Sequence, residues 1–222
     1  MIVHIVFIEI EIDMIVTKDI LEGFEKNVRT SFINSLAGFR QVALVGTKSE
    51  TGQTNLAIFN SLMHLGANPA LFGLLNRPDV VDRHSLQNIL HTGVYTLNFV
   101  DASFAAMAHQ TSARYPTEVS EFAAVGFNES YRRGIEAPFV EEAVVKIGMQ
   151  FEQKVDISIN NTVLIIGSIQ YVELPDSCMG VDGFVDVSQS NVLVSCGLDA
   201  YFKTEKVARF EYAKADKITT EK

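Results

Sequence analysis

Between Gln41 and Asn98 the chain passes through three apolar segments with strand character, Val42 to Thr47, Leu56 to Leu65 and Ala70 to Leu75, separated by turns of legible chemistry. Ser49-Glu50-Thr51-Gly52 reads as a hairpin turn in which Gly52 takes the positive φ that closes it, and Asn68-Pro69 breaks the chain again. Asn76-Arg77-Pro78-Asp79 then turns outward, and Asp82 to Ser85 leads into a helix of about two turns, Ser85 to Thr92, stopped by Gly93. A strand from Val94 to Val100 follows. Short strands in this order, with one short helix among them, suit a small β-barrel.

The flanking segments add decoration to that barrel. Residues 1–16 form an edge strand, from the alternation Phe7 to Asp13, or an extension upstream of a start at Met14. The same stretch opens without basic residues and is interrupted by Glu9, Glu11 and Asp13. It is a poor signal peptide, and too short and charged to span a bilayer. Thr17 caps a helical pattern whose apolar face (Ile20, Leu21, Phe24, Val28, Phe32, Leu36) persists to Gly38, as structural cover or a dimer contact.

Beyond the barrel segment a helix from Ser103 to Ala108 leads to an irregular stretch, His109 to Pro116. Thr117 to Val140 has no sustained period and reads as a long excursion anchored by Phe122, Phe127 and Tyr131. Two longer strands, Val144 to Ile159 and Thr162 to Glu173, meet at a tight Asn160-Asn161 hairpin. Gly183 to Tyr201 is weaker in pattern, with Gly197 to Tyr201 as a turn. The expected domain therefore covers residues 17–202, and residues 203–222 form a charged tail, a solvated helix or a frayed end.

Composition excludes several classes of function. A hydrophobic fraction of 47% in 222 residues is ample for a packed interior. The 18 basic against 27 acidic side chains, a formal charge of -9, argue against a nucleic-acid face, though not against one local basic pocket. Cys178 and Cys196 have no CxxC spacing, which fits a reduced, cytoplasmic setting and buried or incidental thiols. His4, His64, His84, His91 and His109 do not pair with cysteines or carboxylates at zinc-ligand spacing, so no metal site is expected. HExxH, GxSxG, GxxxxGK[ST] and GxGxxG are all missing.

Two groups of polar residues stand out. Asn60 and Ser61 lie in an apolar run and need hydrogen-bond partners, which a ligand can supply. Arg77, Arg83, His84, Ser85 and Asn88 surround a helix start, where guanidinium groups and exposed N–H groups favour an anion. Taken alone, these residues read more readily as a helix cap among ordinary surface arginines than as an anion site.

Three pieces of the chain, VALVGTKSETGQTNLAIFNSL, NRPDVVDRHSLQNILHTGVYTLNFV and TSARYPTEVSEFAAVGF, resemble in this order the flavin reductase-like branch of the FMN-binding split-barrel superfamily. The resemblance implies a mainly β protein, a split β-barrel with peripheral helices, binding FMN ahead of FAD. It favours the phosphate role for Arg77, Arg83, His84, Ser85 and Asn88; where the family often has KDT, this chain has Arg83-His84-Ser85, with the following Asn88 retained. The family segment NxAPFS, beside the flavin ring, corresponds to Asn55 to Ser61, with Ile58 in place of the proline and Asn60 between Phe59 and Ser61. Asn55, Phe59, Asn60 and Ser61 thus become ring-binding candidates, with the Phe59 or Asn60 amide meeting the pyrimidine carbonyls.

The pattern TSxxYPxxxSEF assigns Thr111, Ser112 and Tyr115 to a segment closing over the flavin, from the same or the other subunit. It sets Tyr115 or His109 near the nicotinamide face; a lone histidine is more commonly a hydrogen-bonded structural residue, and no side chain need act as a general acid. The implied activity is an NAD(P)H:flavin reductase, homodimeric, with flavin and nicotinamide as its small molecules and a monooxygenase or electron-transfer partner unidentified. The alternatives are a flavin-binding electron carrier without a nicotinamide site, and a barrel that has lost its cofactor and serves as an interaction protein.

Overall fold

A computed structural model describes residues 14–77 and 84–222. The edge strand expected from Phe7 to Asp13 and the side chain of Arg83 lie outside the described residues. Two helices open the described chain, α1 (Lys18–Glu22) and α2 (Lys26–Leu36), and Gly23 caps the first rather than letting one helix run through to Gly38. Neither helix has a buried residue. The strands β1 (Arg40–Gln41), β2 (Ala43–Lys48), β3 (Thr54–Phe59), β4 (Leu62–Ala67) and β5 (Ala70–Asn76) follow, then α3 (His84–Thr92) and β6 (Val94–Phe99). The Ser49 to Gly52 turn forms as expected, with Gly52 at φ 91°.

A short 3-10 turn (Ala102–Phe104) continues into α4 (Ala105–Gln110), and α5 (Glu121–Val125) ends at Gly126. Next come β7 (Glu129–Arg132), β8 (Ile135–Val140), β9 (Lys146–Ile157) and β10 (Thr162–Glu173), and finally β11 (Val194–Cys196) and β12 (Ala200–Phe202). Among the described residues, no helix is long and apolar enough to cross a membrane.

Seven strands form one antiparallel sheet in the order β3-β2-β6-β9-β10-β5-β4. Its two outermost strands are consecutive in the chain, and only Asn60 and Ser61 separate them. Three Cα steps reach at most about 11 Å, so the sheet must roll until its ends approach. Ser61 Oγ seals the junction by donating to the Leu75 carbonyl at 2.6 Å. The single strand expected from Leu56 to Leu65 is therefore two, and the polar pair sits where the sheet closes. Ser61 and Asn60, whose Nδ2 donates to Gly197 O at 2.8 Å, each find a protein partner there.

The β2 run is apolar without interruption because both its faces are covered. Ala43 and Val45 join the barrel interior with Leu97, Ile147, Met149 and Ile165. Val42 and Leu44 join a second core beneath α4 and α5, with Leu56, Phe104 and Phe122. Each of these side chains larger than Ala43, fully buried, stabilises the fold by about 1.5–3 kcal/mol.

The β7–β8 hairpin replaces the unpatterned excursion expected over Thr117 to Val140. Phe122 and Phe127 are buried anchors as expected, but Tyr131 is half-exposed. β8 passes close over β2 and β6, where Thr96 Oγ1 donates to Pro138 O at 2.6 Å and Val140 N donates to Asn98 Oδ1 at 3.0 Å. Beside the barrel, β1, β11 and β12 form a three-stranded sheet, so the expected turn at Gly197 to Tyr201 is the bend and return strand of a hairpin. The tail after Phe202 is not a helix; it doubles back in a loose hairpin, Phe210 bridging to Glu221 and Lys214 to Lys217, with Lys206 on Asp186 and Arg209 on Asp182.

Candidate functional site

A cavity of about 930 Å³ opens between the end of β3, the start of α3, the loop after α4 and the β1-β11-β12 sheet. Three segments distant in the chain meet on its wall: Asn55, Phe59, Asn60 and Ser61; Arg77, His84 and Ser85; and His109, Thr111, Ser112 and Tyr115. Asn88 is not among the lining residues. It is buried, and its Nδ2 donates to Thr47 Oγ1 at 3.1 Å, so it ties α3 to β2.

The α3 end is prepared for an anion. The first-turn N–H groups of a helix have no intrahelical acceptor, and the dipole adds partial positive charge there. Ser85 lies in that turn, 7% exposed, and accepts from Asn55 Nδ2 at 2.9 Å. Since the hydroxyl oxygen already serves as acceptor there, its proton is left to donate to a ligand. Arg77 supplies charge from the end of β5, and His84 is held by Thr117, Nε2 to Oγ1 3.1 Å.

The middle of the wall is the open edge of β3, which among the described residues pairs only with β2. Glu121, at the start of α5, reaches that edge and accepts from Leu56 N at 2.9 Å. Burial pushes the Glu121 carboxyl up, against the Leu56 hydrogen bond and the charge of His84. In an antiparallel ladder, residues alternate between facing the partner strand and facing away. The register that turns Leu56 outward turns Ile58 outward too, and it faces Phe59 to Ala43. Of the Phe59 and Asn60 amides expected for this task, that of Phe59 is committed to the ladder, and the outward amide at this end of β3 is that of Ile58, a lining residue.

On the third wall Arg40, Ser195 and Tyr201 stand on one rung of the small sheet, since Ser195 is in register with both. Tyr201 OH and His109 Nδ1 are 2.7 Å apart. Burial, with the charge of Asp199, raises the Tyr201 phenol above its ordinary range. Tyr115 OH accepts from Gln110 Nε2 at 3.2 Å. Sequence reasoning passed over Arg40, Ser195, Tyr201 and Glu121 as site residues. Glu121 belongs to the quoted SEF triplet, which was a usable signal; the rung is assembled by strand pairing across more than half the chain and leaves no local pattern.

A flavin mononucleotide needs phosphate donors, a flat slot with an apolar side and hydrogen bonds to the pyrimidine edge. The Ser85 proton with Arg77, the Phe59 wall and the outward Ile58 amide meet these needs in one cavity.

A family model described as a flavin reductase like domain matches residues 39–181. The chain is 41% identical to a candidate flavin reductase with split barrel domain from Shewanella frigidimarina, covering 90% of this chain and 100% of that one, with a TM-score of 0.86. It has the fold of nitrilotriacetate monooxygenase component B from Bacillus cereus: TM-score 0.77, 17% identity, 90% of this chain and 99% of that one. An uncharacterised protein of Halalkalibacterium halodurans is 26% identical over 153 residues, 66% of this chain and 73% of that relative.

Proposed function

Since the chain belongs to the flavin reductase like domain family, we propose that it binds FMN in the cavity described above and works as an NAD(P)H:flavin oxidoreductase. The observation that carries this reading is the convergence of Ser85, Phe59 and Thr111, from three separate segments, on one cavity of about 930 Å³. That volume lies within the range of pockets that enclose a cofactor. FMN is preferred to FAD because the α3 end offers one compact set of donors, Arg77, Ser85 and the helix N-terminus, suited to a terminal phosphate.

When bound, the flavin supplies hydride and electron transfer chemistry. The chain's own residues do the rest. Ser85 and Arg77 hold the phosphate, the Phe59 wall lies beside the ring, and the outward Ile58 amide supplies a donor for the ring's polar edge. The loop from Thr111 to Tyr115 lines the cavity's remaining side and would cover the ring there and limit water. His109, bonded to Tyr201, is a positioning residue for whatever approaches that side.

Replacing Ser85 or Arg77 with Ala weakens FMN binding by about 1–3 kcal/mol, as expected for loss of a charge-assisted phosphate bond, measured by quenching of flavin fluorescence. Anaerobic mixing of FMN-loaded protein with NADH or NADPH tests the activity. Bleaching of the flavin band with either supports the reductase; no bleaching with both assigns the protein to flavin-binding electron carriers. We also infer a homodimer. Ile20, Val28, Ile33, Leu36 and Phe39 are exposed large apolar side chains on or just after α1 and α2, and a second copy of the chain is the occupant this face fits.

A further inference from the structure

We propose that the wall formed by the three-stranded sheet is a second anion subsite, in which Arg40 and Ser195 hold an oxyanion of the molecule that exchanges electrons with the cofactor. The proposal rests on the flavin reading above and adds to it the chemical class of the second substrate: one bearing a carboxylate or phosphate.

Arg40 carries its charge on this wall without a counterion. Its Nη2 donates to two neutral carbonyls, Asn34 O at 3.0 Å and Gly197 O at 3.2 Å. Among the described residues no carboxylate forms a salt bridge with it. Its Nε is buried with no hydrogen-bond partner. Ser195, directly opposite on β11, is 2% exposed, and its hydroxyl is likewise without a partner. A buried donor left unsatisfied costs about 1–3 kcal/mol, and two of them on the same rung of a cavity wall are accounted for together if an oxyanion accepts from both.

The charge of the cavity points the same way. In a chain of net charge -9 its lining carries Arg40, Arg77 and Arg114 against Glu121 and Asp199. Asp199 lies on the turn between β11 and β12, where its charge acts on Tyr201. Gly197 O accepts from both Arg40 and Asn60, which anchors this subsite to the strand end that borders the Phe59 wall. Arg40 and Ser195 share no element with Ser85 and Arg77, so two anionic groups can be held at once.

The test uses FMN-loaded wild type, Arg40→Ala, Arg40→Lys and Ser195→Ala, with FMN uptake and far-UV circular dichroism measured first. Benzoate is titrated against the visible flavin band, and NADH against the anaerobic bleaching rate. The expected result is FMN uptake unchanged in all variants, with half-saturation for one probe raised about tenfold or more in Arg40→Ala, less in Ser195→Ala and partly restored in Arg40→Lys. A shift with benzoate identifies a carboxylate as the oxyanion; a shift with NADH identifies a nucleotide phosphate. The proposal is overturned if wild type saturates with neither probe, if no variant moves either half-saturation point, or if Arg40→Ala folds but loses FMN, which would place Arg40 in the cofactor's own phosphate site. A wild type that takes up no FMN overturns the flavin reading itself. Benzoate calorimetry on that protein then decides the subsite, equal heats with wild type and Arg40→Ala counting against it.

Discussion

Glu121 shows how one side chain can hold a cavity wall in place. Its carboxylate accepts the Leu56 N–H on the open edge of β3, a buried donor with no other acceptor. Glu121→Ala should destabilise the protein by about 1–3 kcal/mol in urea unfolding, whereas Glu121→Gln, which keeps an acceptor oxygen, should lose less. Equal losses would mean that the carboxylate's charge matters more than the hydrogen bond. Ser85 was legible as part of a helix start, whereas Asn55 was reached only through the resemblance and is found donating to Ser85. Arg40 and Ser195 were not legible, since nothing in either's neighbourhood records a partner 155 residues away. Asn88 was expected at the phosphate from the family loop; in the structure its Nδ2 donates to Thr47 on a neighbouring strand, a contact with no local signal.

At the scale of elements, the strands with a turn between them were the readable part. The β2 and β3 hairpin, β9 and β10, and the helix stopped by Gly93 all have boundary residues that fix the backbone locally. The break between β3 and β4 was hidden because Leu56 to Leu65 is apolar throughout, and only closure of the sheet decides where it bends. β8 was hidden by Pro138, which argues against a strand; here its carbonyl is used by Thr96. The close crossing of β8 over β2 requires Gly46, where an added Cβ would collide with the Pro138 carbonyl oxygen. Gly46→Ala should therefore lower stability by about 1–3 kcal/mol by thermal unfolding, and an unchanged midpoint would show that β8 can move aside.

A second test at this scale concerns the clamp between β7, β9 and β10. Glu173 accepts from Arg132 at 2.7 Å and from Lys146 at 3.2 Å, and the Lys146 side chain is only 5% exposed. The Arg132 hydrogen bond, opposed by burial and aided by Tyr171 and Lys146, lowers the Glu173 carboxyl to about 2. A carboxylate depressed in the folded state contributes stability above its unfolded value, near 4.5, and loses it as pH falls toward about 2. Glu173→Gln should thus cost about 1–2 kcal/mol at pH 6, a figure discounted for the partial exposure of Glu173. The gap to wild type should close as pH drops from about 4.5 to about 2; a gap constant with pH would contradict the clamp.

Over the whole molecule, a rolled sheet of seven strands leaves one cavity where its ends meet the helix start and the small sheet, and an acidic chain concentrates arginines there. The exposed apolar face of α1 and α2 belongs to the same scale, since burial in a second copy is a property of the assembly. Ile33→Glu with Leu36→Glu should convert a dimer to a monomer in sedimentation velocity, and a wild type that sediments as a monomer would remove the dimer from the account. The central claim is that one cavity grips a flavin by its phosphate, and parallel fluorescence titrations with FMN and riboflavin, which lacks the phosphate, test it most directly. The account predicts one FMN bound per chain and riboflavin weaker by about tenfold or more, with the difference shrinking in Ser85→Ala; equal affinity for the two flavins, or binding of neither, would contradict it.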